Sequence, residues 1–384
     1  MIKGKGWLGE VEGLRGLASL WVFAFHVGIA CGTAFPIISS GGRGVDLFIL
    51  ISGFIMVHQF LQREDVEPWN DTATFWRFWI RRFFRIAPLY YPLLILSLLF
   101  HRVSDGARDA IVLHFPSPMM ARHSNPSTFN FLSHLTFIFG ALPHFASATP
   151  LPDWSIGLEV QFYFVFPFLM LFILKFGHRK TIFAVSAVPM TAALLVPIYF
   201  GSFTMPAFLP LRMYLFGMGM LIAAKMHSAT GRIWPLLIVL PIAAHFTIPG
   251  VNVKLAVAQI FLALFLYLVT TNNGPNCERF VVPIRRFLSG EILQKLGLLS
   301  YSLYLMHLLV VIPLSALLLK HSRFSMLSAI TRFLISFSVD CCVVLPLAML
   351  LYTFLEKPGV RFGKRLVDRL LPRGERIPAA VQHT

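Results

Sequence analysis

The chain has 384 residues, of which 57% are hydrophobic and only 13% are charged, and its formal net charge is +16 at pH 7. Ordinary soluble domains carry about 25% charged residues, so this composition excludes a soluble protein and favours one polytopic membrane bundle. The basic residues lie between apolar runs, so the positive charge indicates how the chain is oriented in the membrane. No nucleic-acid-binding motif occurs, and we therefore reject nucleic acid as a partner.

The apolar runs predict an all-α transmembrane bundle of about ten spans. We place them near 13–32, 44–61, 86–100, 156–174, 181–200, 207–224, 233–247, 254–271, 297–319 and 333–355. The weaker run at 129–140 is predicted to be an interfacial or re-entrant piece, because an eleventh crossing would break the charge pattern of the loops.

The loop charges predict the orientation of the bundle. With the N-terminus inside, most lysines and arginines fall in inner segments, so both termini are expected to be cytoplasmic. Residues 1–356 then form the bundle, and residues 357–384 form a basic cytoplasmic tail that could lie on anionic lipid as an amphipathic helix. The N-terminus also resembles a signal peptide, but the polar residues in the first run favour a retained helix.

Metal ligation is not predicted anywhere in the chain. The five histidines between residues 101 and 155 show neither HxH nor HExxH spacing. The four cysteines, Cys31, Cys277, Cys341 and Cys342, form no CxxC pair, so they suggest neither a zinc site nor a disulfide framework.

The first span, in the segment GLRGLASLWVFAFHV, contains two polar residues, Arg15 and His26. They lie eleven residues apart, which places them on nearly the same helix face with about 16 Å between them along the axis. A charge inside hydrocarbon costs a few kcal/mol or more, so such residues usually have a function. The spacing predicts an anion held by Arg15 at the inner end and a neutral base, His26, deeper in the membrane.

The next spans add further polar residues. In GVDLFILISGF, Asp46 is expected near the outer end of the second span, with His58 near its inner end. In RRFFRIAPLYY, Arg82 and Arg85 are three residues apart and can share a helix face at the inner edge. Guanidinium groups suit phosphate oxygens, although simple positive-inside anchoring would also explain the cluster.

Polar residues recur in the fourth and ninth spans. In WSIGLEVQFYFVF, Glu159 and Tyr163 form an i,i+4 pair near the outer side, and Glu159 could orient a catalytic histidine or belong to a structural ion pair. In LGLLSYSLYLMH, Ser300, Tyr304 and His307 share one face, where serine and tyrosine often have structural roles.

Three more ionisable residues could be structural. Asp340 in the last span and Arg212 in the sixth could pair, although nothing in the sequence shows that they meet. Glu356, in FLEKP, could cap the last helix against the basic tail.

Six segments, GLRGLASLWVFAFHV, GVDLFILISGF, RRFFRIAPLYY, WSIGLEVQFYF, LGLLSYSLYLMH and FLEKP, occur in the order seen in membrane acyltransferase family 3. Any one of them is weak, but the ordered set resembles that family over nearly the whole chain. The family includes bacterial O-acetyltransferases of lipopolysaccharide, exopolysaccharide and nodulation factors. The resemblance implies a multi-pass protein of the bacterial inner membrane. Such a protein moves an acyl group, usually acetyl, from cytoplasmic acetyl-CoA to a glycan or glycolipid hydroxyl.

The resemblance also implies site residues. The family's Arg-(ten residues)-His signature falls on Arg15 and His26, its RxxR motif on Arg82 and Arg85, and its acidic motif on Glu159. We therefore expect the three arginines to hold the acyl-CoA phosphates and His26 to act as general base, with Glu159 fixing its tautomer and Arg15 beside the reaction. Expected to contact the acceptor are Asp46, Tyr163 and His307.

Two departures from the family and several alternatives stay open. Tyr91 stands where tryptophan is more common, and no esterase-like domain follows the bundle, so transfer is expected to finish within the bundle or on a separate partner. Mechanistically, an acyl-histidine at His26 is the rival of base catalysis. The competing functions are a transporter or flippase of lipid-linked sugars and a membrane glycosyltransferase. The acceptor, the acyl length and any homo-oligomer are not specified by the sequence.

Overall fold

The computed structural model describes residues 8–228, 230–271 and 274–371, and every regular element within them is helical. The predicted all-α class is therefore confirmed. The α-helices are α1 Gly9–Ala30, α2 Gly42–Leu61, α3 Thr72–Leu99, α4 His101–His114, α5 Thr128–Leu135, α6 Trp154–Phe176, α7 His178–Leu195, α8 Pro197–Gly201, α9 Met213–Met226, α10 Trp234–Thr247, α11 Val253–Thr270, α12 Pro275–Leu288, α13 Glu291–Leu319, α14 Ser322–Ser325, α15 Ala329–Leu351 and α16 Lys357–Leu370.

All ten predicted apolar runs fall on helices. Seven helical stretches among the described residues are long and apolar enough to cross a membrane: α1, α2, α3, α6, α11, α13 and the continuous stretch Ala329–Leu370. The predicted fifth span matches α7, and the shorter apolar helices α9 and α10 match the sixth and seventh. The run at 129–140 forms only the eight-residue α5 and a 3-10 turn, Ile138–Ala141, which are too short to span a bilayer.

Two close helix pairs form the centre of the bundle. A Cβ placed on Gly297 of α13 would lie 2.1 Å from the carbonyl oxygen of Glu12 in α1. A Cβ on Gly53 of α2 would lie 2.1 Å from the carbonyl oxygen of Phe216 in α9. Both backbones approach this closely only because glycine has no side chain, as is common where membrane helices pack. The first pair fixes α1, with Arg15 and His26, against α13.

Asp46 belongs to a buried polar network that joins α2, α9 and α11. Its carboxylate accepts a hydrogen bond from Gln259 Nε2 at 2.8 Å and lies 3.6 Å from Arg212 Nε. The suggested pairing of Arg212 with Asp340 is therefore wrong, because the packing of α2 on α9 brings Arg212 to Asp46. Neither carboxylate oxygen of Asp340 has a hydrogen-bond partner within the described part of the chain.

The last span continues into the tail without a loop. A π-helical turn, Tyr352–Glu356, joins α15 to α16, which carries a basic face and exposed apolar side chains such as Phe362. Against α3, Gly359 is so close that a Cβ there would meet the Pro88 ring at 2.4 Å. A tail helix is thus confirmed for Lys357–Leu370, and the predicted tail beyond residue 371 lies outside the described residues.

Candidate active site

A cavity of about 470 Å³, which we call the Arg82 cavity, lies between α1, α2, α3, α6 and α13. The charged and tyrosine side chains that line it include Glu12, Arg15, Arg82, Arg85, Glu159 and Tyr163. The structure therefore brings together all three arginines predicted to hold phosphates. It also places Tyr163, predicted to contact the acceptor, in this same cavity.

Arg82 is held by a neutral amide and two aromatic rings rather than by an ion pair. Its Nη2 donates to the neutral amide oxygen of Gln59 at 2.6 Å. The guanidinium also lies over two rings, 5.4 Å from the Tyr163 centroid and 5.5 Å from the Phe78 centroid. Among the described residues, no carboxylate oxygen lies within 4.0 Å of Arg82, so this side chain can accept an anionic ligand.

The other two arginines of the cavity already have acidic partners. Arg85 forms an ion pair with Glu356, a fully buried side chain that also accepts from Ser302 Oγ at 2.6 Å. Arg15 Nη1 lies 3.2 Å from the Glu12 carboxylate. The suggested helix-capping role of Glu356 is wrong, because the π-helical turn directs this side chain at α3. Of the three predicted phosphate ligands, Arg82 has the charge most available to a ligand.

Glu159 does not contact His26, the histidine that it was predicted to orient. Its carboxylate accepts hydrogen bonds from Tyr163 and, at 3.2 Å, from Ser52 Oγ, and it lines the Arg82 cavity. Helix α6 packs beside α3, with Trp79 Nε1 donating to the Tyr163 carbonyl oxygen at 3.0 Å, which puts Glu159 near the level of Arg82. The expected contact between Glu159 and His26 is therefore absent from the described hydrogen bonds, and that positioning role is corrected.

His26 instead lines a second, smaller cavity of about 120 Å³, the His26 cavity. Its polar and aromatic lining includes His26, Arg108, Arg122, His123, Trp154 and Tyr304. Asp46, predicted to contact the acceptor, lines neither of the two cavities and belongs to the buried network described above.

The side chain that contacts His26 is His307, rather than Glu159 as the sequence analysis expects. His307 Nδ1 lies 2.6 Å from the Tyr304 carbonyl oxygen, which can only accept, so Nδ1 carries the hydrogen and Nε2 is an acceptor. His26 Nδ1 lies 3.0 Å from that Nε2 and 2.9 Å from the Val22 carbonyl oxygen. Because both neighbours accept, His26 carries its hydrogen on Nδ1 and keeps a lone pair on Nε2, as a general base requires.

The two cavities follow one another along the same helices. On α1, Arg15 lines the Arg82 cavity and His26 lines the other. On α13, Tyr301 lines the Arg82 cavity, and Tyr304, one turn further on, lines the His26 cavity. A packed layer separates them at Tyr304, whose hydroxyl accepts from Ser155 Oγ at 2.8 Å and whose ring meets Phe48 edge-on.

Two arginines of the His26 cavity were missed as site residues. Arg108, on α4, is only 5% exposed, and Arg122 lies in the segment that follows this helix. In the sequence they are isolated charges of an outer loop, fourteen residues apart, and no motif or periodicity marks them. Only the fold of this segment over the end of α1 brings them to His26.

The fold and the two cavities together define a class of protein. Residues 8–353 match the family described as an acyltransferase domain. The chain therefore belongs to this acyltransferase family and is a multi-pass membrane enzyme. The predicted family resemblance is confirmed, and the transporter and glycosyltransferase alternatives are disfavoured.

Two relatives show which proteins the chain resembles and over what length. The chain is 28% identical to the peptidoglycan O-acetyltransferase OatA of Listeria monocytogenes over 170 residues, which are 43% of this chain and 24% of that protein. It is 24% identical over 388 residues to the protein named "Putative membrane-bound transacylase BcsY" of Komagataeibacter xylinus, covering 97% of this chain and 88% of that one. The matched part is thus about a quarter of OatA. No solved structure matches the chain significantly.

Proposed function

We propose that this protein is an O-acyltransferase that moves an acyl group, with acetyl as the expected group, from acyl-CoA to a hydroxyl of a cell-surface glycan or glycolipid. The observation that carries the proposal is the His26–His307 pair, because it gives His26 a free Nε2 lone pair in a cavity separate from the Arg82 cavity. Relatives named as a peptidoglycan O-acetyltransferase and a putative one support a glycan acceptor.

The Arg82 cavity suits the acyl-CoA donor. Coenzyme A is a polyanion, and Arg82 offers a guanidinium without a carboxylate partner within 4.0 Å among the described residues. Arg77 and Arg81, which precede it on α3, are ion-paired with Asp71 and Glu67, so Arg82 is the arginine of this segment that offers its charge to a ligand. By the positive-inside rule this end faces the cytoplasm of a bacterial inner membrane, where acyl-CoA is present.

The His26 cavity suits the acceptor, and its base can complete a balanced reaction. The pantetheine arm of acyl-CoA extends along α1 from the Arg82 cavity past Tyr304, so that the thioester reaches His26. The acceptor hydroxyl oxygen then bonds to the thioester carbonyl carbon while His26 Nε2 takes the hydroxyl proton. The carbon–sulfur bond then breaks, and His26 Nε2 gives that proton to the leaving thiolate, which becomes the free thiol and restores the neutral imidazole. His307 holds the neutral His26 ring in the required tautomer before and after the transfer.

The proposal is tested with purified full-length protein in lipid vesicles, radiolabelled acetyl-CoA, and extracted glycan and glycolipid as acceptors. Wild type is expected to label the acceptor, and His26→Ala is expected to lose about 10²- to 10⁴-fold in rate. His144→Ala, which changes an exposed histidine outside both cavities, is the matched control. Equal labelling by wild type and His26→Ala would contradict the proposal.

The same experiment without acceptor separates the two mechanisms. A general base leaves the protein unlabelled until acceptor is added. Label that stays on wild type and is missing from His26→Ala would instead identify an acyl-imidazole intermediate.

A further inference from the structure

The His26 cavity contains two guanidinium groups that converge on one backbone atom. Arg108 Nη1 donates to the Met119 carbonyl oxygen at 3.4 Å, and Arg122 Nε donates to the same oxygen at 3.2 Å. This shared acceptor holds both side chains at the wall of the cavity that His26 also lines. Two like charges are thus placed side by side in a partly dehydrated space.

The acidic side chains of this segment, Asp105 and Asp109, form no ion pair with Arg108 or Arg122. Asp105 accepts from the Ser124 backbone nitrogen at 3.1 Å and from its hydroxyl at 3.0 Å. Asp109 lies 2.7 Å from His123 Nε2. Among the described residues, no carboxylate oxygen comes within 4.0 Å of Arg108 or Arg122, so the cavity has positive charge without an ion-pair partner.

Desolvation makes this arrangement costly without a ligand. Burial, and to a smaller extent the nearby Arg122 charge, lowers the pKa of Arg108 to about 10, against a smaller opposing effect of the Asp105 charge. Burial also lowers the pKa of Arg122. A guanidinium with a pKa of about 10 is still protonated at pH 7, so Arg108 keeps its charge. An anion in the cavity would recover the interaction energy that burial removes.

We propose that the acceptor is an acidic glycan whose carboxylate or phosphate group binds Arg108 and Arg122 while a neighbouring hydroxyl faces His26. This inference rests on the proposed acyl transfer and names the acceptor class. Planar guanidinium groups bind oxyanions with paired, charge-assisted hydrogen bonds, so they fix the sugar in orientation as well as in place. A neutral glycan leaves both arginines unpaired, and sites built for polar groups reject analogues that lack them.

Binding of small glycosides tests the inference independently of catalysis. The probes are methyl β-D-glucuronide, methyl β-D-glucoside, methyl β-D-glucoside 6-phosphate and inorganic phosphate, each titrated into purified full-length protein while the thermal midpoint is followed. Arg108→Gln and Arg122→Gln are compared with Arg102→Gln, which removes the same charge from an exposed position of α4 outside the cavity. Arg82→Gln shows whether a probe binds in the Arg82 cavity instead. Arg108→Lys keeps the positive charge, so it separates loss of the anion contact from loss of folding.

The charged glycosides are expected to raise the midpoint of wild type and of Arg102→Gln, whereas the neutral glucoside is not. Each glutamine variant should weaken apparent affinity for the charged glycosides by about tenfold to a hundredfold, because a hydrogen bond to a charged group contributes about 1.5–3 kcal/mol. Arg108→Lys should keep part of the effect. Whether the glucuronide or the sugar phosphate binds better identifies the anion.

Four results would overturn the inference. They are equal stabilisation by neutral and charged glycosides, no response to any probe, a response to inorganic phosphate alone, and loss of the response in Arg82→Gln rather than in the Arg108 and Arg122 variants. Acyl transfer from acetyl-CoA is measured on the same preparations. Intact transfer together with one of these results rejects the acidic acceptor but not the enzyme, whereas anion binding without any transfer rejects the proposed function.

Discussion

The two cavities use arginine in opposite ways. In the Arg82 cavity, Arg85 and Arg15 are paired with Glu356 and Glu12, and only Arg82 has a neutral hydrogen-bond partner. In the His26 cavity, both arginines donate to a backbone carbonyl oxygen and have no carboxylate partner within 4.0 Å among the described residues. A paired arginine holds helices together, whereas an unpaired one is available to a ligand. The paired and the unpaired arginines of this bundle therefore have different expected roles.

The largest effect on stability is expected for Arg85→Ala. Removing this guanidinium leaves the fully buried Glu356 without its ionic partner, which typically costs about 3–5 kcal/mol. The free energy of unfolding, measured by denaturant titration in detergent, checks this. The double variant Arg85→Met/Glu356→Leu should recover most of the loss, and a single variant as stable as wild type would show that the pair has no structural role.

A smaller, catalytic effect is expected for His307→Ala. Without His307, the His26 ring loses one of the two acceptors at Nδ1, and misplacement of a catalytic group by about 1 Å can cost about 10²-fold in rate. We expect kcat to fall while KM for acyl-CoA stays constant, because His307 lines neither cavity. A rise in KM with unchanged kcat would place His307 in donor binding instead.

Arg82→Ala should affect binding rather than stability. It removes the one arginine of its cavity whose hydrogen bond goes to an amide, so KM for acyl-CoA should rise by about tenfold to a hundredfold. The free energy of unfolding should change far less than in Arg85→Ala. If the two variants lost stability equally, the distinction between paired and unpaired arginines would fail.

The smallest effect is expected for Ser155→Ala, at the layer between the cavities. It removes one hydrogen bond to the Tyr304 hydroxyl, and such a bond contributes about 0.5–1.5 kcal/mol to stability. Thermal unfolding should detect a small decrease in the midpoint, and acyl transfer should persist. A complete loss of transfer would show that Ser155 takes part in the reaction.

Sequence analysis predicted what is local along one helix. The ten apolar runs and the shared face of Arg15 and His26 follow from hydropathy and from the helical period. Arg82 and Arg85 are three residues apart on α3 and Arg15 is on α1, and their meeting in the Arg82 cavity also agrees with the prediction.

The errors concern which helices adjoin. The sequence analysis expects Glu159 to orient His26 and allows Arg212 to pair with Asp340. In the structure His307 contacts His26, and Arg212 lies beside Asp46. Hydropathy does not show which helices are neighbours in a bundle, because most faces of membrane helices are apolar. For the same reason Arg108 and Arg122 could not be recognised, since their proximity to His26 depends on how the segment after α3 folds.

The packed layer at Tyr304 has a consequence for the membrane itself. A continuous file of water through the bundle would conduct protons and dissipate the ion gradients across the bilayer. Tyr304, bonded to Ser155 and packed against Phe48, lies between the two cavities where such a file would have to pass. The proposed reaction therefore needs this one side chain to let the thin pantetheine arm through while it keeps a file of water out.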